Sequence, residues 1–270
     1  MTVAESDADA AELDLLTDTM RKTLNSATGA ELDAALRGLG WPDLLDDLPE
    51  HAVPLLFRLL GETGAHACVL LDVLDHADGG AGSAPRALPF AGGKWVLWER
   101  DGTAGGSVDE ELPLRETSTG TALSAPALAQ GRRALAWWLL GTGRTMLTLA
   151  REHVTQRSQF GRPLSSFQAV RHRLAETFVA LDGAEAALRH TEGELGALLG
   201  KAAAGQAALT AARHCQQVLG GIGFTAEHDL QRHVRRTLVL DGLLGSAREL
   251  TREAGAFVRA NGAAPRLANL

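Results

Sequence analysis

The run Arg157-Ser158-Gln159-Phe160-Gly161-Arg162-Pro163-Leu164, followed closely by Phe167-Gln168, separates two segments whose apolar residues recur at helical spacing. Upstream, Leu135, Trp138, Leu139, Thr142, Met146, Leu149 and Val154 form one stripe of a helix that starts near residue 127 and ends near Arg157. Downstream, the same pattern fills 165–194, 197–219 and 227–260. Four long amphipathic helices with short connections predict a helical bundle. The tail over 261–270 carries no motif and little periodicity, and it is expected to fray.

Working back toward the N-terminus, 11–74 also reads as helices, separated by Gly40-Trp41-Pro42 and by the stretch from Pro49 to Pro54. Between Asp78 and Pro126 the character changes to Gly, Ser and Pro punctuation. Lys94-Trp95-Val96-Leu97-Trp98 and Leu112-Pro113-Leu114-Arg115 are the strand candidates there. No internal repeat is visible. The expected organisation is an N-terminal helical domain (1–78), a reduced β middle region (79–126) and a C-terminal four-helix bundle (127–270). A mainly α fold suits a chain of 270 residues, 45% hydrophobic and without tyrosine, which has few side chains to spare for a large sheet.

The formal net charge of −7 opposes the cation field on which nucleic-acid binding rests. Arg232-His233-Val234-Arg235-Arg236 is the local exception, and it reads as a solvated or salt-bridged helix face. Cys68 and Cys215 lie in separate apolar segments without Cys-x-x-Cys spacing, so two reduced, buried thiols are expected and no metal site. The first residues are acidic where a secretory signal is basic, and no apolar run approaches membrane-spanning length. A cytoplasmic protein without membrane contact is the expectation.

Gly221-Ile222-Gly223-Phe224-Thr225-Ala226 has the spacing of a dinucleotide fingerprint, with Asp241 at the distance of a ribose-binding acid. That fingerprint needs a buried strand before it, whereas Ala211-Ala212-Arg213-His214-Cys215-Gln216-Gln217 reads as a polar-studded helix. What remains is the access that glycines give to a phosphate, and Thr225 as a cap for the next helix. Arg157 has two readings, a guanidinium forked onto a pyrophosphate or a surface arginine favoured by the helix dipole. Gln168 likewise is either a ligand contact or the last member of a capping box, Ser165-Ser166-Phe167-Gln168.

Taken together, Arg157, Phe160, Gly161, Leu164 and Gln168 follow the order Arg-x-x-Phe-Gly-x-x-Leu-x-x-x-Gln. Lys201-Ala202, Ala204-Gly205, Gln217, Gly220-Gly221-x-Gly223-Phe224, Glu227-His228 and Arg235 form a second block. The two blocks resemble the acyl-CoA dehydrogenase family, over about 127–250. Leu36-Arg37-Gly38-Leu39-Gly40-Trp41 and Gly93-Lys94-Trp95 resemble its early helix turn and a middle-domain strand. The resemblance implies that Arg157, Phe160, Gln168, Gln217, Gly220 and Gly221 contact the adenosine-diphosphate half of an FAD held mainly by a neighbouring subunit. A cofactor shared across an interface implies an oligomer.

The same resemblance exposes two losses. The family's base is a Glu in a Glu-Gly-Thr stretch, and here Leu244-Gly245-Ser246 takes its place; the alternative position of some members falls on Gly131, before Arg132. Neither can accept a proton, so no catalytic residue is assigned. Asp241, three residues early, serves only through a change of register. The Thr-Glu-x-x-x-Gly-Ser-Asp flavin loop is missing as well, with Gly79-Gly80-Ala81-Gly82-Ser83 a remnant or a plain turn. The implied role is a subunit that completes the FAD site of a full-length partner in an α2β2 acyl-CoA dehydrogenase, a type known especially for steroid side-chain substrates. A flavin monooxygenase of the same fold and a flavin-free assembly protein are the alternatives.

Overall fold

The computed structural model describes residues 3–80, 86–99 and 109–265. Its N-terminal part runs through α1 (Val3–Ser26), α2 (Gly29–Gly38), α3 (Trp41–Asp47), α4 (Pro49–Thr63) and α5 (Val69–Ala77). The stretch from Pro49 to Pro54 is not a break, as expected from sequence, but the first turns of α4. Proline at the first helical position gives up only an N–H that has no partner anyway. Pro54 does forgo one intrahelical bond, yet Val53, Leu56, Phe57 and Leu60 are buried around it, and their burial holds the helix to its neighbours.

Three strands follow: β1 (Ala87–Phe90), β2 (Lys94–Trp98) and β3 (Leu114–Thr117), antiparallel in the order β1-β2-β3. The first was not anticipated, since Pro89 argues against a strand, but β1 lies at the sheet edge, where a missing N–H is tolerated. The third starts two residues later than expected because Pro113 can only accept, taking the Glu99 N–H at 3.1 Å. Of the glycine run 79–83, residues 81–83 lie outside the described residues.

The axis of the molecule is α6 (Ala125–Gln156), whose first turn is capped by the Ser124 hydroxyl accepting from Ala127 N at 3.2 Å. A single apolar stripe understates it: from Ala134 through Leu140 every residue is buried, because α4 and α5 pack on one side and later helices on the others. At Gly61 and Gly141 the helices α4 and α6 meet backbone to backbone, and a Cβ built on Gly141 lies 3.1 Å from Gly61 Cα. Beside this crossing Trp138 is fully buried, edge-on to Phe57 at 5.8 Å and tilted against Trp98 at 6.1 Å, which ties the sheet to the helices.

Beyond α6 come a two-residue hairpin, β4 (Ser158–Gln159) and β5 (Arg162–Pro163), then α7 (Gln168–His190) and α8 (Gly193–Leu219). The expected last segment, 227–260, is two helices, α9 (Leu230–Gly242) and α10 (Ala247–Asn261). Leu244 and Gly245 leave the helix with φ of 56° and 100°. A left-handed leucine costs on the order of 1 kcal/mol, and several bonds offset it. Buried Lys201 donates from Nζ to Asp241 O (2.9 Å) and Gly245 O (2.6 Å), while Ser246 and Glu249 form a capping box that restarts the helix.

Candidate functional site

The first sequence block folds as a turn between two helices. Arg157 ends α6, and its carbonyl accepts the Leu164 N–H at 2.9 Å, closing the β4–β5 hairpin. Both loop residues, Phe160 and Gly161, have positive φ (54° and 77°), the pattern of a two-residue turn whose twist matches its strands. This geometry throws the Phe160 ring outward, 87% exposed. Its one aromatic neighbour is Phe167, edge-on at 6.1 Å, and Arg162 lies over the Phe167 ring at 4.1 Å.

The capping box expected at Ser165 does not form. Residues Leu164–Ser166 make a short 3-10 turn, Phe167 takes the cap position without a side-chain bond, and Ser166 Oγ donates to Pro163 O at 2.7 Å. Gln168 therefore opens α7 with an exposed side chain that reaches His172, Nε2 to Nε2 at 3.4 Å.

At the second block α8 ends in Gly220 (φ 67°, ψ −141°), and Gly220–Phe224 continues as a 3-10 turn. The element before the glycines is thus a 27-residue helix and not a strand, so the dinucleotide-fingerprint spacing is coincidental. Thr225 does not cap the next helix either: its hydroxyl turns back to Ile222 O at 3.0 Å, and His228 Nδ1 takes the Leu230 N–H instead. Among the described residues, nothing beyond the chain neighbours lies within 4 Å of a Cβ built on Gly220 or Gly221, so no side chain there screens this backbone from a ligand.

The two blocks meet across a groove of about 720 Å³ between the start of α7 and the end of α8. Gln217 lines it, opposite Leu164 at the foot of the hairpin and Ala169 next to Gln168. Arg157, Phe160, Gln168, Gln217, Gly220 and Gly221 are all exposed. A guanidinium, two amides, a bare aromatic ring and an open glycine backbone suit one face of a bound dinucleotide such as FAD. They form an open face that does not enclose a ligand. Arg173, Arg213 and His214 also line the groove, and sequence reasoning passed over them because single charges on helices read as solvated faces.

The two positions at which a base was sought are in contact. Leu244 is 1% exposed, and a Cβ built on Gly131 falls 2.7 Å from Leu244 Cδ1 and 2.7 Å from Leu74 Cδ2. Edge strand β1 covers the same corner: Leu244 N donates to Pro89 O at 2.8 Å, and the Phe90 ring packs on Gly242. Arg132 holds the corner from α6, donating to Leu244 O at 3.2 Å and bidentately to Glu253 at 3.2 and 3.1 Å. Asp241 is engaged elsewhere, accepting the Ala247 N–H at 3.0 Å and packed against Gly205. Burial raises its carboxyl above the usual range, against the pull of Lys201 and that N–H.

The arginine cluster on α9 is a salt-bridged structural feature. Arg236 is 1% exposed, paired with Asp109 and Glu111 and donating to Gly64 O and Ala65 O at 3.0 Å each. Cys68 and Cys215 are buried, and burial pushes the Cys215 thiol up to about 12. Among the described residues no group of His, Cys, Asp and Glu could hold a metal ion, and no helix is long and apolar enough to cross a membrane.

Comparison with known proteins agrees with this architecture. Residues 118–256, just over half of the chain, match the acyl-CoA dehydrogenase C-terminal domain family. The acyl-CoA dehydrogenase IpdE2 of Mycobacterium tuberculosis is 37% identical over 116 residues, 42% of this chain and 36% of that protein. The aligned part is about a third of the length of the curated relatives the chain matches. Among solved structures, the steroid ACAD Tcur3481–Tcur3483 superposes with a TM-score of 0.72 at 19% identity, covering 94% of this chain and 99% of that one. The ChsE4–ChsE5 complex from Mycobacterium tuberculosis gives 0.65 at 18% identity, covering 98% and 99%. At these identities the structural likeness speaks to the fold alone.

Proposed function

The chain belongs to the acyl-CoA dehydrogenase family, and on that premise we propose that it is a non-catalytic subunit of a heteromeric, flavin-dependent acyl-CoA dehydrogenase. It lends Arg157, Phe160, Gln168, Gln217, Gly220 and Gly221 to the adenosine-diphosphate half of an FAD held mainly by a full-length partner. The observation that carries this reading is the contact of Leu244 with Gly131. Apolar atoms fill both places where a base is sought, so the proton-abstracting carboxylate comes from the partner. When bound, FAD supplies the hydride-accepting chemistry of α,β-dehydrogenation. This chain's part is to bind: Arg157 at the end of α6 offers a fork of donors to phosphate oxygens, Phe160 an exposed ring, Gln168 and Gln217 amides, and Gly220 and Gly221 a backbone that no side chain screens.

ChsE4–ChsE5, of the same fold, is a complex, and Tcur3481–Tcur3483 is a steroid ACAD; on that likeness the proposal extends to an α2β2 assembly and a steroid side-chain acyl-CoA as the substrate class. The test is to purify the chain alone and after co-expression with a full-length acyl-CoA dehydrogenase subunit from the same genome. The expected outcome is little flavin and no turnover alone, against a yellow, active complex. Stoichiometric FAD with acyl-CoA turnover from the isolated chain would sink the reading.

A further inference from the structure

The groove between α7 and α8 carries more chemistry than the six proposed FAD contacts use. Its walls hold two guanidinium groups, Arg173 and Arg213, and the His214 imidazole, and none of its lining residues is acidic, in a chain whose net charge is −7.

A closed loop of hydrogen bonds fixes one wall. Arg173 can only donate, so its contact at 3.3 Å makes His214 Nε2 the acceptor. The imidazole then donates from Nδ1 to Thr177 Oγ1 at 3.0 Å, and the Thr177 hydroxyl donates to Arg173 O at 2.8 Å. Two donors remain for a visitor: most of the Arg173 fork, which otherwise meets the exposed Glu176 on its own helix at 3.4 Å, and Arg213, which makes one bond at 3.3 Å to Thr210. The floor is apolar, with Leu164, Val170 and Val218. Exposed apolar side chains also lie further along α7, Phe178 and Val179, and after α8, Ile222 and Phe224.

We propose that this groove receives an acidic segment of the partner subunit, whose Asp or Glu side chains fork onto Arg173 and Arg213 while its apolar side chains cover Val170 and Val218. The inference rests on the reading that the chain works within a complex. Charge complementarity selects the occupant: guanidinium groups over an apolar floor suit an amphipathic acidic peptide, and of the six residues given to FAD only Gln217 lines this groove. Arginine and aromatic side chains are also the residues enriched at the centres of protein interfaces.

The test uses the co-expressed complex. Arg173→Glu with Arg213→Glu, both on exposed side chains, should leave this chain folded, speed dissociation of the complex by about tenfold or more, and flatten its salt dependence. In a second variant, Arg213→Lys, zero-length carbodiimide coupling should join the new amine to a carboxylate of the partner, identifiable by mass spectrometry. The proposal falls if the double variant dissociates at the normal rate and the amine couples to no partner acid. It falls equally if the double variant assembles normally but loses FAD, because the anion is then a flavin phosphate. Failure of the unmodified chains to associate at all would instead overturn the subunit reading, and this inference with it.

Discussion

Leu244 and Gly131 divide one small volume between them: the leucine's Cδ1 fills the space that any side chain on residue 131 needs, at 2.7 Å from the position of its Cβ. Enlarging one therefore penalises the other. Gly131→Ala should cost about 1–3 kcal/mol through overpacking, and Leu244→Ala about 2–5 kcal/mol through lost burial and a cavity. The double variant should be more stable than the sum of the two losses predicts, by at least about 0.5 kcal/mol. Chemical denaturation of the four proteins measures the coupling; strict additivity would mean that the two side chains do not share the space.

Restoring an acid should not restore catalysis by this subunit. Leu244→Glu places a carboxyl at a buried site, which costs about 2 kcal/mol or more and raises its pKa. It provides no oriented flavin or substrate beside that carboxyl. The expected result is a lower melting temperature and an unchanged number of active sites per complex, counted by flavin bleaching with an acyl-CoA. A doubled count would give this chain a complete pocket of its own.

Arg157→Ala should weaken FAD retention in the complex by about tenfold to a hundredfold, the loss typical of a charge-assisted bond of about 1.5–3 kcal/mol. The chain itself should remain folded, because the side chain is exposed and the hairpin is closed by the Arg157 backbone carbonyl. Flavin release during dilution or gel filtration reads the effect. Undiminished affinity would leave Arg157 as an ordinary helix-end arginine.

Stability should rise with pH in two windows. Burial, reinforced by nearby arginines, lowers His66 and His233 to about 4. Between there and about 6.5 the unfolded chain binds protons that the native one does not, so stability falls as pH drops through that range. Lys201 is lowered by burial to about 7. From there to about 10.4 the unfolded chain again holds the extra proton, and stability gains with rising pH. Denaturation across pH should show the alkaline gain reduced in Lys201→Met and the acid loss reduced in His233→Phe.

Gly61→Ala should destabilise by about 1–3 kcal/mol or more, although alanine is the better helix former. Its Cβ would press on the backbone of α6 at Trp138 and Thr142, which cannot rotate away. Thermal unfolding with far-UV circular dichroism separates the two effects: helicity should be preserved while the midpoint falls.

Helical periodicity made the bundle legible because α6, α7 and α8 each present apolar residues to a shared core. It hid the corner between α9 and α10, since Val239, Leu240, Leu243 and Leu244 are all buried and continue the apolar run straight through the bend. The signal that marks the restart was present in Ser246-Ala247-Arg248-Glu249, a capping box in sequence and in structure. Ser165-Ser166-Phe167-Gln168 carried the same signature and formed none, because the 3-10 turn after the hairpin moves the helix start to Gln168. That Leu244 and Gly131 stand where the family resemblance puts a base was readable by position alone. That Leu244 and Gly131 face each other was not, because they are far apart in the chain and only the fold of α9 back onto α6 unites them.

The hairpin at Phe160 bears on how much of this protein a cell can keep. Folding of the chain alone does not hide that ring, because the backbone that exposes it is the turn's own low-energy form. On the proposed subunit reading, a second surface that covers this phenylalanine would also remove an exposed apolar group from the reach of chaperones and proteases. The abundance of this chain would then follow the supply of the proposed partner, and unequal synthesis of the two would correct itself by loss of the excess.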